Sequence, residues 1–228
     1  MTGTSPKKVL IRGLGYSLNV KNSLPDPLLE LHGSSGELIA QNDDWGNSPE
    51  RQAIIDTGIP PPNPFESAIL MTLNPGLYTA ILRDSDDQTG IGLVEIYDLD
   101  QTVDSQLANI STRGFVETGD NVMIGGLIVL GTESSQTIIR AVGPSLPLTN
   151  TLADPTLELH DGNGAVIGFN DNWRSDHESD IIATMLAPSN DAESAIVATL
   201  SPGLYTAIVR GKDDTMGVAL VEAYQLDN

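Results

Sequence analysis

Two short acidic turns are the first places in this chain where chemistry could sit. Asn42-Asp43-Asp44 and Asn170-Asp171-Asn172 each gather several side-chain oxygens just before a tryptophan, Trp45 and Trp173. Asp26 and Asp154 open matching segments and would lie beside these turns if the flanking strands pair as hairpins. Hard oxygen donors of this kind are what calcium selects, so these eight residues define two candidate calcium sites. The same side chains also close Asx-turns by hydrogen-bonding nearby backbone. The sequence leaves both readings open, and neither requires a cofactor. The tryptophans divide in the same way: an indole can stack on a sugar ring, or it can plug the end of a sandwich.

Other candidate groups carry less. Glu30 with His32, and Glu158 with His160, share a strand face and could hold a transition metal, but a surface ion pair has the same spacing. Asp84 to Gly90 faintly resembles a calcium loop, yet Thr89 stands where an EF-hand needs glycine. Gly13-Leu14-Gly15 lacks the third glycine of a dinucleotide fingerprint. Ser17 and Ser145 are not in a Gly-x-Ser-x-Gly elbow, and Ser67 and Ser194 have no histidine nearby in sequence. Nothing in the chain assembles an active site.

The pattern that positions these residues is a duplication. Asp26-Pro27-Leu28-Leu29-Glu30-Leu31-His32 returns as Asp154-Pro155-Thr156-Leu157-Glu158-Leu159-His160. Glu66-Ser67-Ala68-Ile69 returns as Glu193-Ser194-Ala195-Ile196. Pro75-Gly76-Leu77-Tyr78-Thr79-Ala80-Ile81 returns as Pro202-Gly203-Leu204-Tyr205-Thr206-Ala207-Ile208. The offset is about 127–128 residues throughout, as in a repeated unit. Two domains follow, 1–104 and 105–228, joined by a short polar stretch.

Alternating apolar residues between Gly, Pro and Asn turns predict strands. The second copy reads as eight, including Leu107–Val116, Val122–Gly131, Thr137–Val142 and Thr156–His160. Val122–Gly131 is nearly all apolar, which suggests burial on both faces. Glu178–Met185 reads as one or two helical turns. The first copy has six matching strands and nothing to match Leu107–Gly131. The expected fold is all-β: two tandem jelly-roll-like antiparallel β-sandwiches, the first lacking the opening two strands of the second. The first copy is then expected to complete itself with Leu107–Gly131, with its own N-terminus, or with a strand from another molecule.

Composition excludes several function classes. The net charge is −20 at pH 7, so a phosphate backbone would be repelled and nucleic-acid binding is not expected. The chain has no cysteine, which removes disulfides, thiolate metal sites and thiol nucleophiles. The most apolar run is too short for membrane insertion.

Asp-Pro-x-Leu-Glu-Leu, a Gly-bearing turn, Asn-Asp-x-Trp, Glu-Ser-Ala-Ile and Pro-Gly-x-Tyr, recurring over Asp26–Leu99 and Asp154–Leu226, resemble the bacterial pre-peptidase C-terminal domain and its relatives. Leu107–Gly114 with Gly119-Asp120-Asn121 looks like the opening of a longer repeat of large secreted bacterial proteins. The resemblance implies a non-catalytic β-sandwich of an extracellular or cell-surface protein; with the duplication, the acidity, the lack of cysteine and the missing catalytic constellation, the expected role is structural or adhesive, with self-association by strand addition. Its expected partners are neighbouring repeats, further copies of itself, or surface and matrix polysaccharide. A carbohydrate-binding accessory module of a secreted enzyme is the alternative. Met1–Lys8 is polar with no apolar run behind it, so no signal peptide is expected within this chain.

Overall fold

The computed structural model describes residues 1–226, and the chain divides into two compact units, Met1–Leu107 and a second beginning at Ala108. The division falls later than the expected 104/105 junction. Residues 105 and 106 belong to unit 1 because the Ser105 hydroxyl donates to the Ser5 carbonyl, and Thr2 and Gln106 exchange backbone bonds of 3.0 and 2.9 Å.

Unit 1 contains β1 (Lys7–Leu14), β2 (Pro27–His32), β3 (Leu38–Asn42), the short helix α1 (Arg51–Asp56), β4 (Ser67–Leu73), β5 (Thr79–Asp84) and β6 (Leu93–Asp98). They form two antiparallel sheets, β4-β1-β6 and β3-β2-β5. Unit 2 contains β7 (Asn109–Val116), β8 (Met123–Val129), β9 (Ser135–Val142), β10 (Pro155–Asp161), β11 (Val166–Asn170), α2 (Glu178–Ala183), β12 (Ser194–Leu200), β13 (Gly203–Gly211) and β14 (Gly217–Gln225). Its sheets are β12-β9-β14-β7 and β11-β10-β13-β8. Each sheet of unit 2 is therefore a sheet of unit 1 with one strand added, and β7–β8 supplies both additions. The β7–β8 hairpin, which makes up most of the Leu107–Gly131 stretch, completes unit 2, which removes it as the closure of unit 1.

Residue alternation sets which face packs. Leu157 and Leu159 in β10 are fully buried, while Glu158 and His160, which alternate with them, point outward. The β10–β11 hairpin turns on Gly164, whose φ of +82° suits a residue without Cβ, and the Asp161 carboxylate accepts the Asn163 and Ala165 amides at 2.9 Å. β9 is buried on both faces, with Ile139 facing the opposite sheet and Ile138 facing Trp173 and Ile181. The expectation of two-sided burial for Val122–Gly131 is thus corrected. β8 lies at a sheet edge, and its Ile124 and Ile128 project outward, 55% and 59% exposed.

The inter-sheet cores differ in size. Unit 2 holds twelve buried residues, including Val116 and Met123 from the β7–β8 hairpin, whereas unit 1 holds six. Full burial of one such aliphatic side chain contributes about 1.5–3 kcal/mol, so this difference matters to the relative stability of the units.

Candidate functional site

The repeated motifs converge at one edge of each sandwich, where β3 meets β4 and β11 meets β12. Glu66 and Glu193 stand just before β4 and β12 and are fully buried. Glu66 accepts the Gly15 amide at 2.9 Å and both the amide and hydroxyl of Ser17, at 2.6 and 2.5 Å. Glu193 accepts the Gly143 and Ser145 amides at 3.2 and 2.9 Å, the Ser145 hydroxyl at 2.5 Å and the Asn190 amide at 3.2 Å. The loop after β1, and its twin after β9, is an anion cradle that holds the protein's own carboxylate. Gly15 and Gly143 must lack a side chain: a Cβ would lie 2.3 Å from the Leu24 carbonyl oxygen and 2.1 Å from that of Leu152.

Ser67 donates to the carbonyls of Pro27 and Asp43, and Ser194 to those of Pro155 and Asn170 at 2.6 and 3.0 Å. Each serine thereby ties one sheet to the other. Both serines hold backbone, and neither has a histidine base within these contacts.

The amides of the acidic turns are committed in the same way. Asn42 accepts the Ala68 amide at 2.8 Å and donates to the Asp44 carbonyl; Asn170 accepts the Ala195 amide at 3.1 Å and donates to the Asn172 carbonyl. These bonds bridge β3 to β4 and β11 to β12. Asn42 and Asn170 are thus both bound to backbone, as in the structural reading of these turns. Asp44 accepts from the Asn47 side chain at 3.1 Å, and the Asn172 carbonyl accepts from Ser175. Among the described residues, no group of three or more His, Cys, Asp and Glu is arranged to hold a metal ion.

The remaining carboxylates behave differently in the two units. In unit 2, the Lys212 ammonium lies 2.7 Å from Asp171 and 3.6 Å from Asp154. In unit 1, Ser85 stands at the place of Lys212 and donates its hydroxyl to Asp26. Asp43 faces Asp26, Asp44 and Asp86; partial burial and these like charges raise its pKa above the usual carboxylate value. Next to it, buried Asp84 accepts the amides of Asp26 and Asp86 at 3.0 Å and of Gln88 at 3.1 Å. The Asp84–Gly90 segment is a loop organised around its own backbone rather than a calcium loop.

The tryptophans are interior. Trp45 and Trp173 are 7% and 3% exposed, and their indole N–H groups donate to the carbonyls of Asn63 at 2.7 Å and Asn190 at 3.1 Å. Each packs over its short helix and central strand, so the sugar-platform expectation is corrected. The histidines are likewise occupied. His32 bonds Glu30 and the Gly36 carbonyl, both at 3.1 Å; His160 bonds Glu158 at 3.0 Å and the Gly164 carbonyl at 3.1 Å. With an acceptor at each ring nitrogen, both imidazoles favour the protonated form and their pKa values are raised. Glu30 is the larger cause for His32, and the Gly164 carbonyl for His160.

A second duplicated constellation escaped the sequence reading. Arg12 pairs with Glu95, lies over the Tyr97 ring and donates to the Ile59 carbonyl at 2.9 Å. Arg140 repeats this with Glu222, Tyr224 and the Leu186 carbonyl. The identical spacing Glu-x-Tyr in β6 and β14, each with an Arg in β1 or β9, is the signal that could have found it. Both clusters anchor the segment that follows the short helix.

No known family's sequence model matches the chain, and no curated protein matches it. Among solved structures, the chain is similar to the pre-peptidase C-terminal domain of a collagenase from Bacillus anthracis, with 13% identity over 51% of this chain and 89% of that one, at a TM-score of 0.34. It is also similar to a chain in the atomic structure of Sulfolobus Turreted Icosahedral Virus, with 11% identity over 97% of this chain and 83% of that one, at a TM-score of 0.32. A third similarity is to the infectious bursal disease virus VP2 subviral particle, with 9% identity over 98% of this chain and 56% of that one, at a TM-score of 0.22. At these scores the likenesses carry no functional argument. The β-sandwich assignment rests on the strand pairing described above.

Proposed function

We propose that this chain is a non-catalytic β-sandwich repeat module of an exported bacterial protein, structural or adhesive in role, which associates with neighbouring repeats or further copies. One observation carries the reading. Four of the polar pairs shared by the two units, Glu66/Glu193, Ser67/Ser194, Asn42/Asn170 and Arg12/Arg140, are engaged in holding loops and sheets. Their recurrence is explained by the fold, which supports a structural rather than a catalytic reading of the repeated motifs. The motif resemblance to pre-peptidase C-terminal domains supports the extracellular placement, and no helix among the described residues is long and apolar enough to cross a membrane. Polysaccharide contact, if part of the role, would run through exposed polar strand faces, because the indoles are interior.

The test is a broad hydrolase panel alongside pull-down on insoluble cell-wall and matrix polymers. The reading predicts no turnover with retention on a polymer or on immobilised copies of the chain. Sustained turnover that is lost on substitution of a residue in this chain would overturn it.

A further inference from the structure

Within the edge where β11 meets β12, unit 2 leaves a cleft. The two strands are the last of their sheets, and the Asn170 side chain bridges them by accepting the Ala195 amide at 3.1 Å. Beside that bridge lies an open volume of about 160 Å³. Ile196 and Ala198, which pack against the inter-sheet core, line its inner wall with Gly168. Ile167 and Phe169 form its outer rim, 48% and 57% exposed.

Unit 1 carries larger residues at the same places. Ala40 is the twin of Gly168 and Met71 the twin of Ala198, and both pack against the core of unit 1. Ile69 between these strands is 5% exposed, whereas its twin Ile196 is only half-buried. The unbranched side chain of Met71 thus covers in unit 1 what stands open in unit 2. An apolar wall of this kind gains from any aliphatic group that removes it from water.

The mouth of the cleft is acidic. Asp176 and His177 line it, and the His177 ring lies 3.5 Å from Asp176 and 3.4 Å from Asp180. Two carboxylates outweigh one imidazolium even when the ring is protonated. Among the described lining residues there is no lysine or arginine, and the whole chain carries a net charge of −20. His177 also holds a left-handed backbone, φ +54°, just before α2, whereas Glu50 just before α1 has a φ of −83°. Such a conformation in a residue other than glycine is costly, and here it belongs to the unit with the cleft.

We propose that this cleft binds an unbranched primary alkylamine, with its chain in the place that Met71 takes in unit 1 and its ammonium beside Asp176. An ammonium donates hydrogen bonds and accepts none, which suits a mouth of carboxylates. A fatty acid of the same length would set its own carboxylate against them. This goes beyond the repeat-module reading, and the two fail separately: turnover on the hydrolase panel would overturn that reading and leave the amine site standing.

The experiment titrates n-hexylamine into the full chain carrying isotope-labelled isoleucine methyl groups and follows them by NMR, with n-hexanol and n-hexanoate as comparison ligands at matched ionic strength. The expected result is a saturable shift at Ile167 and Ile196 and none at Ile69, with a Kd on the order of millimolar. Hexanoate should bind at least about tenfold more weakly. Asp176→Asn should weaken hexylamine about threefold and leave hexanol unchanged. Ala198→Met, which installs the side chain that unit 1 has at this place, should abolish the shifts while circular dichroism shows an intact fold. Should that variant unfold, Gly168→Ala takes its place, because the added methyl would lie 3.4 Å from the Ile196 side chain and narrow the cleft. Three results would overturn the proposal: no saturable shift at Ile167 and Ile196, unchanged binding in the cleft-filling variant, or equal affinity for hexylamine and hexanoate.

Discussion

Unit 1 and unit 2 use the same residues at one edge and different solutions at the other. At the β3/β4 and β11/β12 edges, a buried glutamate, a serine and an asparagine bind the two sheets in both units with nearly the same partners. At the opposite edge, unit 2 has a hairpin that contributes Val116 and Met123 to the core, and unit 1 has β5 and β6 as its last strands. The motif that makes the repeat recognisable is therefore what closes one side of the sandwich.

The largest expected effect tests the shared edge. Glu66→Ala or Glu193→Ala would leave several buried amides and a hydroxyl without an acceptor, at about 3–5 kcal/mol in either unit. Chemical denaturation of each variant should show the loss in one unit only, of similar size in the two cases. A large loss in one unit and none in the other would break the equivalence.

The next tests the differing edge. Met123→Ala removes a side chain that is 6% exposed and should lower the stability of unit 2 by about 2–3 kcal/mol. Ile81→Ala, on the open side of unit 1, should change stability by less than about 1 kcal/mol. Thermal melts of the two variants make the comparison.

A third prediction concerns how unit 1 fills part of its open side. Leu82 reaches toward Gly92 and Gly13, where a Cβ would approach its methyl carbons to 2.7 and 2.6 Å. Unit 2 has Val209 between Ala219 and Ala141 instead. Gly92→Ala should therefore cost about 1 kcal/mol through overpacking, and Leu82→Val in the same chain should recover most of it. Strict additivity in a double-mutant cycle would contradict this packing account.

The smallest effects are electrostatic. Lys212→Ser should lower the melting temperature of unit 2 slightly, and Asp43→Asn should raise that of unit 1, whereas Asp171→Asn should not raise that of unit 2. The sign for Asp43 follows from its raised folded pKa. Above that value the ionised carboxylate faces Asp26, Asp44 and Asp86 and weakens the fold. As pH falls through the folded value, the native state takes up the proton before the unfolded chain does, and the penalty is relieved. The gain from Asp43→Asn should accordingly shrink on acidification. Melts of wild type and variant from pH 7 to pH 4 check it.

Strand positions were legible because the period-two alternation of Leu157-Glu158-Leu159-His160 and the Gly-rich turns are local signals. The six-against-eight strand difference followed directly from comparing copies. The apolar run at Val122–Gly131 misled because an edge strand with apolar residues on both faces has the same composition as a central one. Which face is covered is set by α2 and Trp173, which cover β9 instead. Glu66 and Glu193 were invisible as buried groups because glutamate usually reads as surface. Their acceptor role depends on amides of Gly15, Ser17, Gly143 and Ser145 some fifty residues away in sequence. The acidic turns carry two readings in the sequence, since calcium ligation and Asx-turns select the same residue types, and only the structure shows that Asn42 and Asn170 bridge strands.

Amide hydrogen exchange on the full chain at low concentration tests the central comparison most directly. The account predicts that the β5 and β6 amides facing away from β2 and β1 exchange at least about tenfold faster than their twins in β13 and β14, which β8 and β7 cover. Equal protection of the two sets would contradict it.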